Sequence, residues 1–184
     1  MKHSLRIWLP AIISVLFVFV NIRASAFPGD GRQVLLLSGD DWFIHEATGG
    51  GLPEGNDWIP ASVTGNIQSD LENQHLLDPI TYGDGDPRLA EVCRKDWWYR
   101  KKFIAPAGFP GRRNVIVFDG VDYNCEVWLN GKLLGKHAGM FRRFEFDITS
   151  VVIPGKENIL AVKLDKIPDE LFPFIVGADG KNSG

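Results

Sequence analysis

The sequence predicts an all-β sandwich. Three observations carry this reading. Short apolar runs start at intervals of roughly ten residues, clusters of Gly, Pro, Asn and Asp separate them, and no strand–helix–strand alternation appears that would build a parallel sheet. Gln33–Leu37 is an apolar strand closed by Ser38-Gly39-Asp40, and Trp42–His45 is a second short strand. Residues 46–57 form a Gly-rich loop through Thr48-Gly49-Gly50-Gly51 and Pro53-Glu54-Gly55-Asn56-Asp57. Ile67–Asn73 carries helical spacing through Ile67 and Leu71, enough for one or two turns. Residues 75–96 read mostly as loop.

After Asp96 the pattern tightens. Trp97–Ile104 is a strand, with Trp97, Tyr99 and Phe103 on one face and Trp98 with Arg100 on the other. Pro106 to Gly111 is a turn. Asn114–Asp119 contains the unbroken run Val115-Ile116-Val117-Phe118, the pattern of a central strand buried on both faces. Tyr123–Leu129 alternates, and Asn130-Gly131 is the strongest short hairpin signal, because a type I′ turn needs positive φ at both central positions. Leu133–His137 returns. Phe144, Phe146 and Ile148 share a face opposite Glu145 and Asp147. Pro154-Gly155-Lys156-Glu157 is a turn, after which Leu160, Val162 and Leu164 alternate with Ala161 and Lys163. Beyond Pro168 the periodicity fades, although Leu171-Phe172-Pro173-Phe174-Ile175-Val176 is apolar enough to need a partner surface.

Composition narrows the function classes. The chain has 184 residues, 45% hydrophobic, with 20 basic against 23 acidic side chains. That is a globular mix of one-domain length, and its near-balanced charge gives no reason to expect a nucleic-acid partner. Lys2 and Arg6 precede an apolar run from Ile7 to Val20, and Ala24 and Ala26 follow at the −3 and −1 positions of a cleavage site. The run falls short of the roughly 20 residues a spanning helix needs. Residues 1–26 therefore read as a secretory signal cleaved after Ala26, with 27–184 as the mature β-sandwich domain. The product is secreted or periplasmic, with no membrane attachment after cleavage. Its net charge is −6, because the signal removes Lys2, Arg6 and Arg23 and no acid. An oxidising compartment permits a Cys93–Cys125 disulfide, whereas the phase of Cys125 with Val127 and Leu129 points to a buried thiol.

The chemistry-bearing residues are sparse. Five indoles survive signal removal: Trp42, Trp58, Trp97, Trp98 and Trp128. An indole face stacks on the C–H face of a sugar ring, but Trp also serves as core. The candidate carbohydrate contacts are Trp98, Trp128 and Arg142, the last in the basic Arg142-Arg143 pair of a loop. Asp119, Asp122 and Asp147 sit beside turns, where Asp caps backbone N–H groups. No pair of acids has a spacing that builds a glycosidase carboxylate pair. His45, His75 and His137 are scattered, and Cys93 and Cys125 lack a CxxC partner, so no metal site is expected; no acidic cluster suggests Ca²⁺. GxSxG and GxxxxGK[ST] patterns are absent, and no cofactor is expected.

Taken in order, six segments resemble a known family. They are Asp96-Trp97-Trp98-Tyr99-Arg100-Lys101-Lys102-Phe103, Phe118-Asp119-Gly120-Val121-Asp122-Tyr123, Glu126-Val127-Trp128-Leu129-Asn130-Gly131-Lys132, Gly135-Lys136-His137-Ala138-Gly139-Met140-Phe141, Phe146-Asp147-Ile148-Thr149 and Gly155-Lys156-Glu157-Asn158-Ile159-Leu160-Ala161-Val162. They look like the N-terminal sugar-binding domain of glycoside hydrolase family 2. Gly65-Asn66-Ile67-Gln68-Ser69-Asp70-Leu71, Asp78-Pro79 and Tyr82-Gly83 resemble its β-mannosidase-like branch.

The resemblance implies a galactose-binding-like jelly-roll β-sandwich with one short helix. It also implies a parent enzyme whose catalytic glutamates lie in a (β/α)8 barrel that is missing from this sequence, so no catalytic residue is assigned here. The branch reaches its active site through a Trp-Asp-Trp-Gly-type loop followed by a closing strand. The sequence stops at Gly184 before either, which implies a domain truncated at its C-terminus, lacking its last strand and exposing a sheet edge. The expected partner is a β-mannoside or related glycoside, met through the parent enzyme. A free-standing carbohydrate-binding module, or a structural domain that docks a barrel, is the alternative.

Overall fold

The computed structural model describes residues 33–78, 88–107 and 113–166, together with the backbone of Ser25–Ala26. The chain divides into two units, Met1–Val34 and Leu35–Gly184. In the first, β1 (Ser25–Ala26) pairs antiparallel with β2 (Gln33–Val34). The strand expected over Gln33–Leu37 thus stops at Val34. Leu37 is irregular, and its carbonyl accepts a hydrogen bond from Trp42 Nε1 at 2.7 Å instead of joining a ladder.

The second unit is built on antiparallel strands, and the all-β sandwich expected from the sequence is what forms. Its elements are β3 (Gly39–Glu46), β4 (Ile59–Val63), α1 (Ile67–Asn73), α2 (Arg88–Cys93), β5 (Trp97–Ile104), β6 (Val115–Phe118), β7 (Asn124–Leu129), β8 (Lys132–Ala138), β9 (Phe144–Asp147) and β10 (Glu157–Leu164). A six-stranded sheet runs in the order β4-β3-β5-β10-β7-β8, and β6 and β9 form a two-stranded sheet. The core lies between them. Trp42, Ile44, Trp97, Tyr99, Val127, Leu129, Leu160 and Val162 face it from the large sheet, Ile116 and Ile148 from the small-sheet side, and Leu71 and Val92 from the helices. Such burial drives folding at about 25 cal/mol per Å² of apolar surface.

Two local devices set the frame. Asn66 caps α1: its backbone is extended (φ −144°, ψ 159°) and its Oδ1 accepts the Ser69 N–H at 2.8 Å. Asn130 (φ 51°) and Gly131 (φ 78°) take the positive φ values of a type I′ hairpin and join β7 to β8.

Three expectations are corrected, and one alternative is resolved. Among the described residues there are two short helices rather than one: Arg88–Cys93, inside a stretch read as loop, closes a helical turn that buries Val92 and Cys93. The Val115–Phe118 run is not a central strand. Among the described residues it pairs only with β9, and Val115 and Val117 are exposed on the face opposite Ile116, so four consecutive apolar residues here do not mean two buried faces. The Asp residues beside turns do not act alike. Asp147 Oδ1 accepts the Thr149 N–H at 2.9 Å, whereas Asp119 is exposed beside Arg143. Cys93 and Cys125 are both free and buried, so the disulfide is absent and the buried-thiol reading holds for Cys125. Leu171–Val176 lies outside the described residues.

Candidate functional site

The face of the six-stranded sheet turned away from the core is unusually rich in indole. On β5 the two-residue period sends Trp98 and Arg100 outward while Trp97 and Tyr99 go to the core. The β10 register places Ala161 between Arg100 and Trp128, and Lys163 between Trp98 and Glu126. The small Ala161 packs with Trp98, and the Trp98 and Trp128 rings lie edge-on, 6.3 Å apart at 63°.

The connection from β3 to β4 folds over this face. Ala47 and Leu52 pack against the cluster of Trp58, Trp98 and Ala161. Trp58, at the end of the connection, lies under the Arg100 guanidinium at 3.9 Å and beside the His45 ring at 5.4 Å. His45 Nε2 meets Asp57 Oδ2 at 3.1 Å and ties the two feet of the loop together, and the Ala47 N–H donates to the Asp96 carbonyl at 2.8 Å and ties the first foot to the start of β5. The bond to His45 holds the Asp57 carboxyl below its ordinary value. A concavity of about 270 Å³ remains between Gly51-Leu52 of the loop and Trp98, Trp128, Ile159 and Ala161 of the sheet.

Two ion pairs flank this surface. Lys163 Nζ binds Asp96 Oδ2 at 2.7 Å, and the Lys166 N–H donates to Asp96 Oδ1 at 2.8 Å. Burial pulls the Asp96 carboxyl upward, but these donors together outweigh it and leave Asp96 below the usual range. Glu126 is likewise held low, chiefly by Lys136 at 2.6 Å. Both carboxyls are therefore ionised and engaged, which suits neither to a general acid near neutral pH. Among the described residues no group of three His, Cys, Asp or Glu side chains converges as a metal site.

The indole N–H groups divide sharply. Trp42 Nε1 donates to the Leu37 carbonyl and Trp97 Nε1 to the Val92 carbonyl at 3.1 Å. The Nε1 atoms of Trp58, Trp98 and Trp128, all on the outer face, are buried without a hydrogen-bond partner among the described residues. The Trp128 indole lends some stabilisation to the nearby Glu126 carboxylate, but the contact does not close to hydrogen-bond geometry.

Of the three candidate contacts read from the sequence, Trp98 and Trp128 come together on this concavity. Trp98 is 1% exposed and Trp128 half-buried. Arg142 does not join them. It is exposed in the β8–β9 loop, where its Cδ would lie 3.4 Å from a Cβ placed on Gly139. Sequence reasoning missed Leu52, Trp58 and Arg100 as members of one surface. The available signal was that Arg100 shares a strand face with Trp98; the fold-back of the loop had no local signal.

A family model described as glycosyl hydrolase 2 galactose-binding domain-like matches residues 42–171. The chain belongs to this family. The galactose-binding-like domain is similar to β-mannosidase of Capra hircus, with 32% identity over 133 residues, covering 71% of this chain and 14% of that protein. It is also similar to a β-glucuronidase of Paenibacillus borealis, 35% identical over 72 residues, covering 39% of this chain and 12% of that one. Among solved structures, the β-D-mannosidase of Dictyoglomus thermophilum superposes with a TM-score of 0.62 at 30% identity, covering 70% of this chain and 15% of that one. The chain thus spans about a seventh or less of the length of these relatives.

Proposed function

We propose that this chain is the exported, noncatalytic sugar-binding domain that a β-mannosidase-like glycoside hydrolase carries at its N-terminus. The observation that carries the reading is the family match across residues 42–171, joined to relatives of which it covers so small a share. The β-mannosidases among those relatives favour a β-mannoside as the sugar of the larger enzyme, with a β-glucuronide the competing choice. The engagement of Asp96 and Glu126 in ion pairs supports the noncatalytic role on this surface. Export rests on the basic start, the Ile7–Val20 run and Ala24/Ala26.

Two measurements test this. The purified chain is assayed on nitrophenyl β-mannoside and β-glucuronide, with no turnover expected; turnover that survives repurification overturns the noncatalytic role. The N-terminus of protein recovered from outside the cytoplasm is sequenced, and Phe27 is expected. An intact Met1 on protein retained inside overturns export.

A further inference from the structure

We propose that the outer-face concavity is the closed form of a larger carbohydrate-ring site. It opens when the tip of the β3–β4 loop lifts, letting the indole N–H groups of Trp58, Trp98 and Trp128 donate to sugar oxygens. The proposal rests on the sugar-binding reading above and adds where and how a sugar is held.

The unpaired donors are the first argument. A buried N–H without an acceptor is a standing cost to the fold, and native interiors rarely leave one. Here three occur on one surface, while Trp42 and Trp97 on the core side of the same sheet have carbonyl partners. The surface is otherwise apolar, through Leu52, Ile159 and Ala161. A ligand that matches it presents a C–H face and neutral oxygen acceptors together, as a pyranose does. Of the nearby charges, Lys163 is neutralised by Asp96 and Glu126 by Lys136, while the Arg100 guanidinium stacks on the Trp58 ring.

The loop supplies the second argument. The three Nε1 atoms are out of reach of solvent in the closed form, and about 270 Å³ falls just below the range of about 300–1,000 Å³ found for small-molecule pockets. Lifting the loop relieves both restrictions. Its feet are fixed by the His45–Asp57 and Ala47–Asp96 contacts. Its tip is Gly49-Gly50-Gly51, around whose Cβ positions nothing lies within 4 Å, and Leu52 is the tip side chain that packs on the indole cluster. Leu52 is thus the catch, and the three glycines leave the tip free to swing.

The test uses the full chain, ¹⁵N-labelled, titrated with methyl β-mannopyranoside and with β-1,4-mannotriose. The indole signals of Trp58, Trp98 and Trp128 are expected to shift together and saturably, while those of Trp42 and Trp97 stay in place. Leu52→Ser is expected to tighten sugar binding roughly three- to tenfold, because a larger share of the molecules is already open. The same variant is expected to speed hydrogen exchange at the three indoles without any sugar. Trp128→Phe keeps the ring and removes a donor, and is expected to weaken binding about two- to tenfold.

Weaker binding by Leu52→Ser overturns the closed-form claim. Sugar-induced shifts that spare the three indoles overturn this site and leave the sugar-binding reading standing. Indoles unmoved by either sugar, but shifting as protein concentration rises, assign the face to a second copy of the chain and overturn the carbohydrate site. Indole exchange unchanged in Leu52→Ser overturns the lifting of the loop whatever the sugar does.

Discussion

Asn130 Nδ2 donates to Asn158 Oδ1 at 2.8 Å, and this contact joins the β7–β8 hairpin turn to the start of β10. Both amides are fully used. Asn130 also donates to the Val151 carbonyl and accepts the Ile159 N–H, while Asn158 accepts the Ile153 N–H and donates to the Ile153 and Lys156 carbonyls. Asn158 is completely buried, so its removal leaves several backbone groups without partners. Asn158→Ala is expected to lower stability by about 2–4 kcal/mol in urea unfolding. Asn130→Gly keeps the positive-φ turn and loses only the side-chain bonds, so about 1–2 kcal/mol is expected there. Equal losses in the two variants would show that the Asn130 side-chain bonds carry as much of the join as the buried Asn158 amide.

Asp70 is a buried carboxyl on α1. The Ser62 N–H donates to its Oδ1 at 2.9 Å, and the Tyr99 hydroxyl lies 3.5 Å from its Oδ2. Burial raises the Asp70 pKa above the ordinary 3.8, and those two donors only partly offset it. Tyr99 is raised as well, first by burial and then by the Asp70 charge. A raised folded-state pKa means that the native protein holds this proton more tightly than the unfolded chain does. Its contribution to stability therefore falls as pH rises from 3.8 through the raised value. Asp70→Asn keeps an acceptor for Ser62 without the charge. It is expected to match or exceed the wild type at pH 7 by up to about 1 kcal/mol, with the advantage gone below pH 3.8. Denaturant midpoints across pH measure this, and an Asn variant that loses stability at neutral pH refutes it.

Gly135 on β8 is shaped by Phe146 on β9. A Cβ on Gly135 would run into the Phe146 ring at Cε1. Gly135→Ala is expected to destabilise by about 1–3 kcal/mol through overpacking. Pairing it with Phe146→Leu is expected to recover part of that loss, which a double-mutant cycle of thermal midpoints would detect as coupling. Strict additivity of the two changes would place the strain elsewhere.

The two thiols should behave as inert side chains in the native protein. Burial pushes the Cys125 thiol up to about 11, so little thiolate exists at pH 8. A thiol reagent at pH 8 is expected to find no fast-reacting group in folded protein and two in denaturant. Finding none in denaturant without reductant would mean that the cysteines pair.

Much of the fold is legible because strand alternation and turn chemistry are local. β5 and α1 have the bounds their patterns predict, and Asn130-Gly131 announces its own hairpin. What escapes is set by long-range pairing. Nothing local tells Val115–Phe118 that it will have one neighbour, or Arg88–Cys93 that six residues suffice for a helix beside the core. Buried polar residues escape for the same reason. Lys101 lies 4% exposed on the core face, paired with Asp41 sixty positions away, a partnership with no local signal. The candidate site is half legible: the period of β5 puts Trp98 beside Arg100, but Leu52 and Trp58 reach them only through the folded loop.

β10 lies at the middle of the six-stranded sheet, bonded to β5 on one side and β7 on the other. Leu164 pairs with Trp97 across that seam. A nascent chain can form β3-β4-β5 and β7-β8 as separate ribbons, but it has no seam to close until Glu157–Leu164 has been made. The six-stranded sheet therefore closes late, by zipping along its central strand. The same arrangement makes β10 the most exposed point to misassembly, since a late or damaged keystone leaves two ribbons with bare edges.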